Sequence, residues 1–242
     1  MRIAIADDSA LFRSGLVLLL EASGVQVTTQ ATSGTELIAR LFPPSPGHTP
    51  PGRTPPGPIN SPNGRSGTPR PDAVILDLRM PPTFTGEGIA AATEIRARDP
   101  GIGILVLSTF AEASFASQLM DALGYGVGYL LKDTVTDAGH LVGQLERIVA
   151  GETVLDPTIV RRLLQRKRSA SMIETLNPRE REVLARMAEG RSNVGIAQDL
   201  YLSPRTVEAH VTSVFGKLGL EQTDTDNNRI RAVLAFLRGG DR

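Results

Sequence analysis

The chain of 242 residues contains no cysteine. A disulfide scaffold, a thiolate zinc site and a cysteine nucleophile are therefore excluded. Long apolar runs are also absent, because the longest aliphatic runs, residues 16–20 and 104–107, are far too short to cross a bilayer. The two aspartates at positions 7 and 8 are not typical of a secretory signal. We therefore expect a soluble, cytoplasmic protein that makes no use of a membrane.

The chain also lacks net charge, since 26 Lys and Arg residues balance 26 Asp and Glu residues. The balance hides an asymmetry. Residues 1–148 hold 11 basic and 14 acidic side chains, and residues 149–242 hold 15 basic and 12 acidic ones. The net charges are thus −3 and +3. A basic segment behind an acidic one favours nucleic-acid contact by the second half of the chain.

Short apolar runs alternate with helical patterns up to residue 150, and 40% of the chain is hydrophobic, which is enough for a core. This alternation predicts βαβ crossovers and a doubly wound α/β domain over residues 1–148, with a five-stranded parallel sheet. The predicted strands are residues 3–6, 25–30, 73–76, 104–107 and 129–131, and the predicted helices are residues 10–22, 35–41, 88–98, 114–123 and 137–150.

A proline-rich insertion interrupts this pattern at residues 43–71, which contain 11 of the 17 prolines. The segment has too few apolar side chains to offset its ordering entropy, so we expect a disordered or polyproline-like loop. It joins the second helix to the start of the third strand. Because functional sites in doubly wound sheets form where strands end, we expect the loop to lie roughly 15 Å, a strand's length, from any such site. A docking site for a partner remains an alternative to a passive insertion.

Residues 149–172 are rich in arginine and predict a basic linker, and residues 173–238 predict a small all-α domain of four helices. The starts of these helices are well marked. The sequence Asn-Pro-Arg-Glu at 177–180 is typical of a capping box with proline at the first helical position. Ser192, Ser203 and Asn227 or Asn228 are the candidate caps of the next three helices.

Carboxylates end two strands that are neighbours in a doubly wound sheet: Asp7 and Asp8 follow the first strand, and Asp77 ends the third. Their mutual repulsion favours a bound cation, and hard oxygen ligands suit Mg²⁺. Lys132 and Ser108 end the fifth and fourth strands and add an ammonium and a hydroxyl. This combination indicates phosphoryl transfer, in which one aspartate attacks phosphorus while the other groups neutralise charge.

Each of these residues has an ordinary structural interpretation when taken alone. Asp7 and Asp8 could cap a helix, Lys132 could be a solvated strand end, and Tyr129 could be core. Residues suited to phosphoryl transfer end four strands, and this coincidence favours the functional interpretation.

The first half of the chain resembles the receiver domain of two-component response regulators. The resemblance rests on the Asp7-Asp8 pair, on Asp77 in LDLRMPP, on Ser108 after ILVL, and on YLLK at 129–132. It implies that Asp77 is the phosphoacceptor and that Lys132 pairs with the phosphoryl oxygens. Asp8 would ligate Mg²⁺ directly, with Asp7 acting through water, and Asp77 and the Arg79 backbone carbonyl would complete the protein ligands.

The same resemblance implies a conformational switch. Ser108 would hydrogen-bond the phosphoryl group and move towards it, and Tyr129 would turn inward into the vacated space. The residues after Ser108 depart from the family pattern, because Thr109 and Phe110 stand where a small residue usually comes first.

Two helical patterns at residues 193–200 and 204–218 have helix-turn-helix proportions, although a module for protein contact would have the same pattern. The segment LNPREREVLARMAEGRSNVGIAQDLYLSPRTVEAHVTSVFGKLGL resembles the LuxR-type helix-turn-helix of NarL/FixJ-type regulators. The resemblance implies that three residues face bases in the major groove and that four lie nearer the phosphates or support the helix. The first set is Glu208, Ala209 and Thr212, and the second is Arg205, Thr206, His210 and Lys217. Gly195 and Gly216 depart from a good helical sequence, and Gly216 stands where a phosphate-binding side chain is frequent.

Taken together, the two resemblances predict a DNA-binding response regulator of the NarL/FixJ type. A sensor histidine kinase would phosphorylate Asp77, and the second domain would then bind double-stranded promoter DNA as a homodimer. Such a protein is not an enzyme beyond its own Mg²⁺-dependent phosphorylation and dephosphorylation. Two alternatives remain open: a Mg²⁺-dependent phosphatase that uses Asp77 as nucleophile, and a DNA-binding or scaffold protein with a silent receiver.

Overall fold

The computed structural model describes residues 1–43, 69–135, 137–220 and 227–239. Its internal contacts divide the chain into two compact units, Met1–Ile159 and Val160–Arg242. In the described part of the chain, none of the helices is both long and apolar enough to span a bilayer.

The first unit is built on a parallel sheet with the strand order β2-β1-β3-β4-β5-β6. Helices connect the first five strands, which confirms the predicted doubly wound α/β fold. The strands are β1 (Arg2–Ala6), β2 (Gln26–Ala31), β3 (Ala73–Asp77), β4 (Gly103–Ser108), β5 (Val127–Leu131) and β6 (Thr153–Leu155). The helices are α1 (Ala10–Ala22), α2 (Gly34–Leu41), α3 (Glu87–Arg98), α4 (Ala113–Leu123) and α5 (Ala138–Val149).

The three central strands β3, β4 and β5 are buried along their whole length. Their runs of Val, Ile and Leu are what a parallel strand covered on both faces requires. In the register of the sheet, Asp77 lies opposite Leu107, and Ser108 lies opposite Leu131. The polar residues that end β3 and β4, and Lys132 after β5, are therefore delivered to one edge of the sheet.

Within the described residues the sheet has six strands, so the predicted count of five is wrong. The sixth strand pairs with β5, with Val127 opposite Thr153 and Tyr129 opposite Leu155. Strand β6 is only three residues long and buries only Val154 completely, so it produces no alternation that the sequence reveals.

The segment predicted as a basic linker, residues 149–172, contains β6 and most of helix α6 (Pro157–Glu174). Only Ile159 of α6 is fully buried, and its many exposed basic side chains explain why the sequence suggests a linker. The first unit also extends to Ile159, beyond the predicted boundary at residue 148, because β6 joins the sheet.

The second unit contains the four predicted helices within its described residues: α7 (Pro178–Ala188), α8 (Asn193–Asp199), α9 (Pro204–Lys217) and α10 (Asn228–Gly239). The predicted caps are present. Asn177 forms the capping box with Glu180, and the hydroxyls of Ser192 and Ser203 accept hydrogen bonds from the first turns of α8 and α9. The helices enclose a separate apolar core that includes Val183, Leu184, Ile196, Val207 and Val211.

The predicted proline-rich loop, residues 43–71, lies almost wholly outside the described residues. Its flanks connect the end of α2 with the amino end of β3. Asp7, Asp8 and Asp77 lie at the opposite end of the sheet, where β1 and β3 end.

Candidate functional site

Three carboxylates meet at the carboxyl ends of β1 and β3, as the sequence predicts. One oxygen from each of Asp7, Asp8 and Asp77 lies within 4.8 Å of the others. Asp7 and Asp77 are buried and Asp8 is exposed. The backbone N–H of Ser9 donates to Asp7 Oδ1 at 2.9 Å, which fixes the orientation of that carboxylate.

A close approach of helix α3 shapes the wall behind Asp77. The backbone N–H of Gly88 donates to the carbonyl of Leu78 at 3.0 Å. A Cβ atom on Gly88 would lie only 2.2 Å from the Asp77 carbonyl oxygen. Glycine is therefore required at this position for α3 to pack against the end of β3.

Lys132, which follows β5, joins two of the carboxylates. Its Nζ donates to Asp7 Oδ2 at 2.8 Å and to Asp77 Oδ2 at 2.7 Å. The same Nζ lies 4.5 Å from the centre of the Phe12 ring, a contact that the sequence does not predict. Three carboxylates and one ammonium leave these four side chains with two uncompensated negative charges, the charge that a divalent cation balances.

Burial acts on the pKa of both partners of this pair. It raises the pKa of the Asp77 carboxyl, and the hydrogen bond from Lys132 offsets this effect only in part. Burial also opposes the positive charge of Lys132, but its hydrogen bonds with Asp7 and Asp77 outweigh burial and raise the pKa of the ammonium. Lys132 is thus held as a cation against the proposed phosphoacceptor.

Ser108 ends β4 and Tyr129 lies in the middle of the neighbouring strand β5, and both are buried. The Ser108 hydroxyl donates to the carbonyl of Phe110 at 2.8 Å and accepts from the Phe110 N–H at 3.2 Å. Tyr129 is completely buried, and its hydroxyl has no hydrogen-bond partner among the described residues. The tyrosine is therefore already inward in this structure, while the serine hydroxyl is occupied by the loop after β4.

A cavity of about 260 Å³ opens above Asp77 and is lined by Asp8, Arg79, Ser108, Phe110 and Lys132 among others. The Arg79 guanidinium pairs with Glu112 at 2.6 Å and lies 5.6 Å from the Phe110 ring centre. The Arg79 backbone N–H donates to Asp77 Oδ1 at 3.4 Å. The sequence predicts the backbone of Arg79 near the site but not its ion pair, because that pair depends on the conformation of two loops.

The predicted DNA-contacting residues lie on α9, and most of them face solvent. Val207, Val211 and Val214 are buried and form the inner face of this helix. The residues predicted to contact bases or phosphates are exposed, namely Arg205, Thr206, Glu208, Ala209 and Thr212, whereas His210 is half-buried. The Thr206 hydroxyl lies 2.7 Å from that of Ser203, so it also supports the helix start.

Lys217 is exposed like most of the other predicted contacts, but it pairs with a buried carboxylate. Its Nζ donates to Glu180 Oε2 at 2.7 Å, and Glu180 is only 3% exposed. Despite burial, the hydrogen bonds from Lys217, Ser213 and the Asn177 backbone lower the pKa of Glu180 to about 2. The sequence indicates Glu180 only as part of a capping box, because its contacts with α9 join residues far apart in the chain.

Comparison with protein families gives a match in the second half of the chain. Residues 174–224 match the model of the bacterial regulatory proteins of the luxR family. The matched region begins at the end of α6 and includes α7, α8 and α9.

Similar proteins extend over the whole chain. The nitrate/nitrite response regulator protein homolog of Haemophilus influenzae is 30% identical over 237 residues, which cover 98% of this chain and 96% of that protein. The probable transcriptional regulatory protein NarL of Mycobacterium tuberculosis is 31% identical over 242 residues, with coverage of 98% and 94%. The oxygen regulatory protein NreC of Staphylococcus epidermidis is 30% identical over 234 residues, with coverage of 91% and 92%.

Solved structures give a consistent result. The RcsB response regulator of Salmonella typhimurium has a TM-score of 0.53 and 25% identity, over 98% of this chain and 97% of that one. A complex of the two-component response regulator RcsB with DNA has a TM-score of 0.50 and 25% identity, over 99% and 98% of the two chains.

Proposed function

Because the chain belongs to the NarL-type response regulators with a LuxR-type regulatory domain, we propose that phosphorylation of Asp77 controls its binding to promoter DNA. The phosphoryl donor is a sensor histidine kinase, and the protein acts in the cytoplasm. One observation supports the proposal above all: Lys132 Nζ bonds both Asp7 and Asp77 in the cavity where three carboxylates meet.

In the proposed reaction, an Asp77 carboxylate oxygen attacks the phosphorus of a phosphohistidine in line with the leaving nitrogen. The new O–P bond forms as the P–N bond breaks. The electron pair of that bond returns to the imidazole, which takes up a proton. Lys132 neutralises the charge that develops on the phosphoryl oxygens, since its ammonium already lies 2.7 Å from Asp77.

The side chains in this cavity fit Mg²⁺, because they are hard oxygen donors with a surplus of two negative charges. Asp7, Asp8, Asp77 and the Arg79 backbone carbonyl would hold the ion. Bound there, Mg²⁺ supplies neutralising charge for phosphoryl transfer. Such an ion would also offset the repulsion among the three carboxylates.

Ser108 is proposed as the residue that reports the phosphoryl group to the rest of the first unit. Its hydroxyl bonds the backbone of Phe110, so it must leave that loop to donate to a phosphoryl oxygen. The phosphoryl group adds about −1.5 to −2 charge and three strong acceptors, which stabilise the conformation in which Ser108 and Lys132 close in. Tyr129 is already buried while Ser108 bonds Phe110, so its inward position does not require the movement of Ser108.

Helix α9 is proposed to read DNA in the major groove through Glu208, Ala209 and Thr212, with Arg205 and Thr206 nearer the phosphates. All five residues are exposed on one helix. One small module reads only a half-site, so a homodimer on a roughly palindromic promoter site supplies the remaining specificity. Catalysis by the chain itself is limited to gain and loss of the phosphoryl group.

The direct test is the intact mass of the full chain after incubation with phosphoramidate, a small phosphoryl donor, and Mg²⁺. We expect one phosphoryl adduct on the wild type and none on Asp77→Asn. Asp121→Asn is the control, because Asp121 is exposed on α4, and it should keep the adduct. An adduct retained by folded Asp77→Asn would place the acceptor at another residue and refute the proposal.

A further inference from the structure

A buried carboxylate joins the end of helix α9 to helix α7. We propose that Lys217 and Ser213 anchor α9 through Glu180, and that Lys217 is a positioning residue rather than a phosphate contact. The proposal deepens the DNA-binding function proposed above and rests on it. It removes Lys217 from the DNA-reading face of α9, which keeps the exposed residues Arg205, Glu208, Ala209 and Thr212 and has Gly216 on the same side.

The geometry of Glu180 leaves neither of its oxygens without a partner. Oε1 accepts from the Ser213 hydroxyl at 2.7 Å, and Oε2 accepts from Lys217 Nζ at 2.7 Å. Oε2 also accepts from the backbone N–H of Asn177 at 2.8 Å. One carboxylate thus fixes both the start of α7 and two positions of α9.

The burial of Glu180 stabilises its ion pair with Lys217 against separation. Glu180 is 3% exposed, and an unpaired charge at such a site is costly. If Lys217 left for a DNA phosphate, the buried carboxylate would lose its only positively charged partner among its hydrogen-bonded neighbours. The low pKa of Glu180 agrees with a carboxylate that remains charged and paired.

Helix geometry separates the anchoring residues from the reading residues. Ser213 and Lys217 are four residues apart and lie on the side of α9 that contacts α7. Arg205, Glu208, Thr212 and Gly216 follow the three- and four-residue spacing of another stripe, and all four are exposed. A Cβ atom on Gly216 would meet nothing within 4 Å, so a side chain there would extend into open space.

Neighbouring positions 216 and 217 therefore provide a matched pair for experiment. The full chain is first used to select a duplex from a random DNA library, and affinity for that duplex is then measured over a range of salt concentrations. The logarithm of affinity falls with the logarithm of salt by about 0.9 for each phosphate contact. We expect Gly216→Lys to steepen this slope by about 0.9, and Arg205→Gln to reduce it by about 0.9.

Lys217→Gln is expected to leave the slope unchanged. It should lower affinity for the selected duplex on the order of tenfold, but not affinity for an unrelated duplex, because α9 loses its fixed position. Lys217→Arg, which can still pair with Glu180, should restore the affinity. All measurements are made well below the melting temperatures of the variants, so that a loss of stability alone does not lower binding.

Two results would overturn the proposal. A slope reduced by about 0.9 in Lys217→Gln would identify Lys217 as a phosphate contact. Unchanged slope and unchanged affinity for the selected duplex would show that Lys217 does not position α9. If the single variant does not fold, Glu180→Gln/Lys217→Gln serves in its place, since both partners become neutral together and no buried charge is left unpaired.

Failure of the DNA-binding function itself gives a different result. In that case the wild type selects no duplex. The stabilities of Glu180→Gln, Lys217→Gln and the double variant still measure the coupling between Glu180 and Lys217.

Discussion

At the scale of single residues, the two units use a carboxylate and a lysine in opposite ways. Lys132 is shared by Asp7 and Asp77, with Asp8 nearby, so the site keeps a surplus of negative charge and can accept a cation. Glu180 has Lys217, a hydroxyl and a backbone N–H to itself, so its charge is fully compensated. The first arrangement suits chemistry, and the second suits the positioning of a helix.

Replacing Lys132 by alanine removes the one side chain that bonds both Asp7 and Asp77 in the described part of the chain. We expect Lys132→Ala to accept a phosphoryl group from phosphoramidate more slowly and to show no rise in DNA affinity, because the phosphoryl oxygens then lack the ammonium that closes in on them together with Ser108. Intact mass gives the extent of phosphorylation, and titration with the selected duplex gives the affinity. Lys167→Ala, at an exposed position of α6, is the control. A normal rise in affinity in the phosphorylated Lys132→Ala variant would refute the role of Lys132 in the switch.

The pKa of Glu180 predicts how stability depends on pH. Its value of about 2 in the folded protein lies below the ordinary value of 4.5, so folding favours the charged form. The carboxylate therefore contributes its full stabilisation above about 4.5, and the contribution is lost as pH falls from about 4.5 towards 2. We expect Glu180→Gln to be less stable than the wild type at neutral pH, by on the order of 1–3 kcal/mol.

The gap in melting temperature between the wild type and Glu180→Gln should shrink as pH falls below about 4.5. Glu182→Gln is the matched control, because Glu182 is an exposed residue of α7 in a surface ion pair with Arg179. That control should differ little from the wild type at any pH. A gap for Glu180→Gln that stays constant through acid pH would show that Glu180 is not held as a charged group.

At the scale of elements, the sequence predicts those strands and helices that a short-range residue pattern determines. The runs of Val, Ile and Leu in β3 to β5 identify these strands, because strands buried on both faces read as continuous apolar runs. Strand β6 is missed because three residues with one fully buried side chain carry no pattern, and it exists only by pairing with β5. Helix α6 is missed because its exposed basic residues dominate its composition.

The candidate sites also contain residues that the sequence could bring together and contacts that it could not predict. Asp7, Asp8, Asp77, Ser108 and Lys132 could be assembled from the sequence, since strand ends in a parallel sheet share one edge. Contacts between loops could not, among them the pair of Arg79 with Glu112 and the bonds of Ser108 with Phe110. The bonds from Glu180 to α9 also depend on how separate helices pack.

Helix α9 supports a prediction about specificity. Thr212 is exposed and lies near the middle of the helix, where its hydroxyl donates to the carbonyl of Glu208 at 2.9 Å. We expect Thr212→Ala to relax sequence choice more than it lowers overall affinity, because a contact to a base edge distinguishes bases at about 1–3 kcal/mol each. Selection from a random DNA library measures this directly.

Thr175→Ala is the matched control, since Thr175 is exposed and its hydroxyl also donates to a nearby backbone carbonyl, that of Met172. The control should select the same sequences as the wild type. A uniform loss of affinity in Thr212→Ala across all sequences would instead identify Thr212 as a phosphate contact.

At the scale of the whole molecule, an acidic and a basic half correspond to different tasks. Residues 1–148 carry a net charge of −3 and hold the carboxylate site, while residues 149–242 carry +3 and hold α9. The carboxylate site and α9 thus belong to segments of opposite net charge. The proline-rich segment joins α2 to the amino end of β3, at the ends of the strands that do not carry the site.

Deletion of residues 47–68 should therefore leave phosphorylation of Asp77 nearly unchanged, within about twofold in rate, because loop length alters closure entropy only slowly. The rate is followed by intact mass after addition of phosphoramidate and Mg²⁺. A variant in which the same residues are replaced by an equally long Gly-Ser sequence separates an effect of length from an effect of composition. A large loss of phosphorylation in both variants would refute the passive role of the insertion.

The central claim is that phosphorylation of Asp77 controls DNA binding, and its most direct test is the affinity of one protein preparation for its selected duplex before and after phosphorylation. We expect affinity to rise by about 5- to 150-fold in the wild type, the usual range of coupling between two sites, and not to change in Asp77→Asn. Intact mass confirms that the phosphoryl group is present in the sample being titrated. Equal affinities of the unmodified and the fully phosphorylated wild type would contradict the claim and leave a DNA-binding protein with a silent receiver.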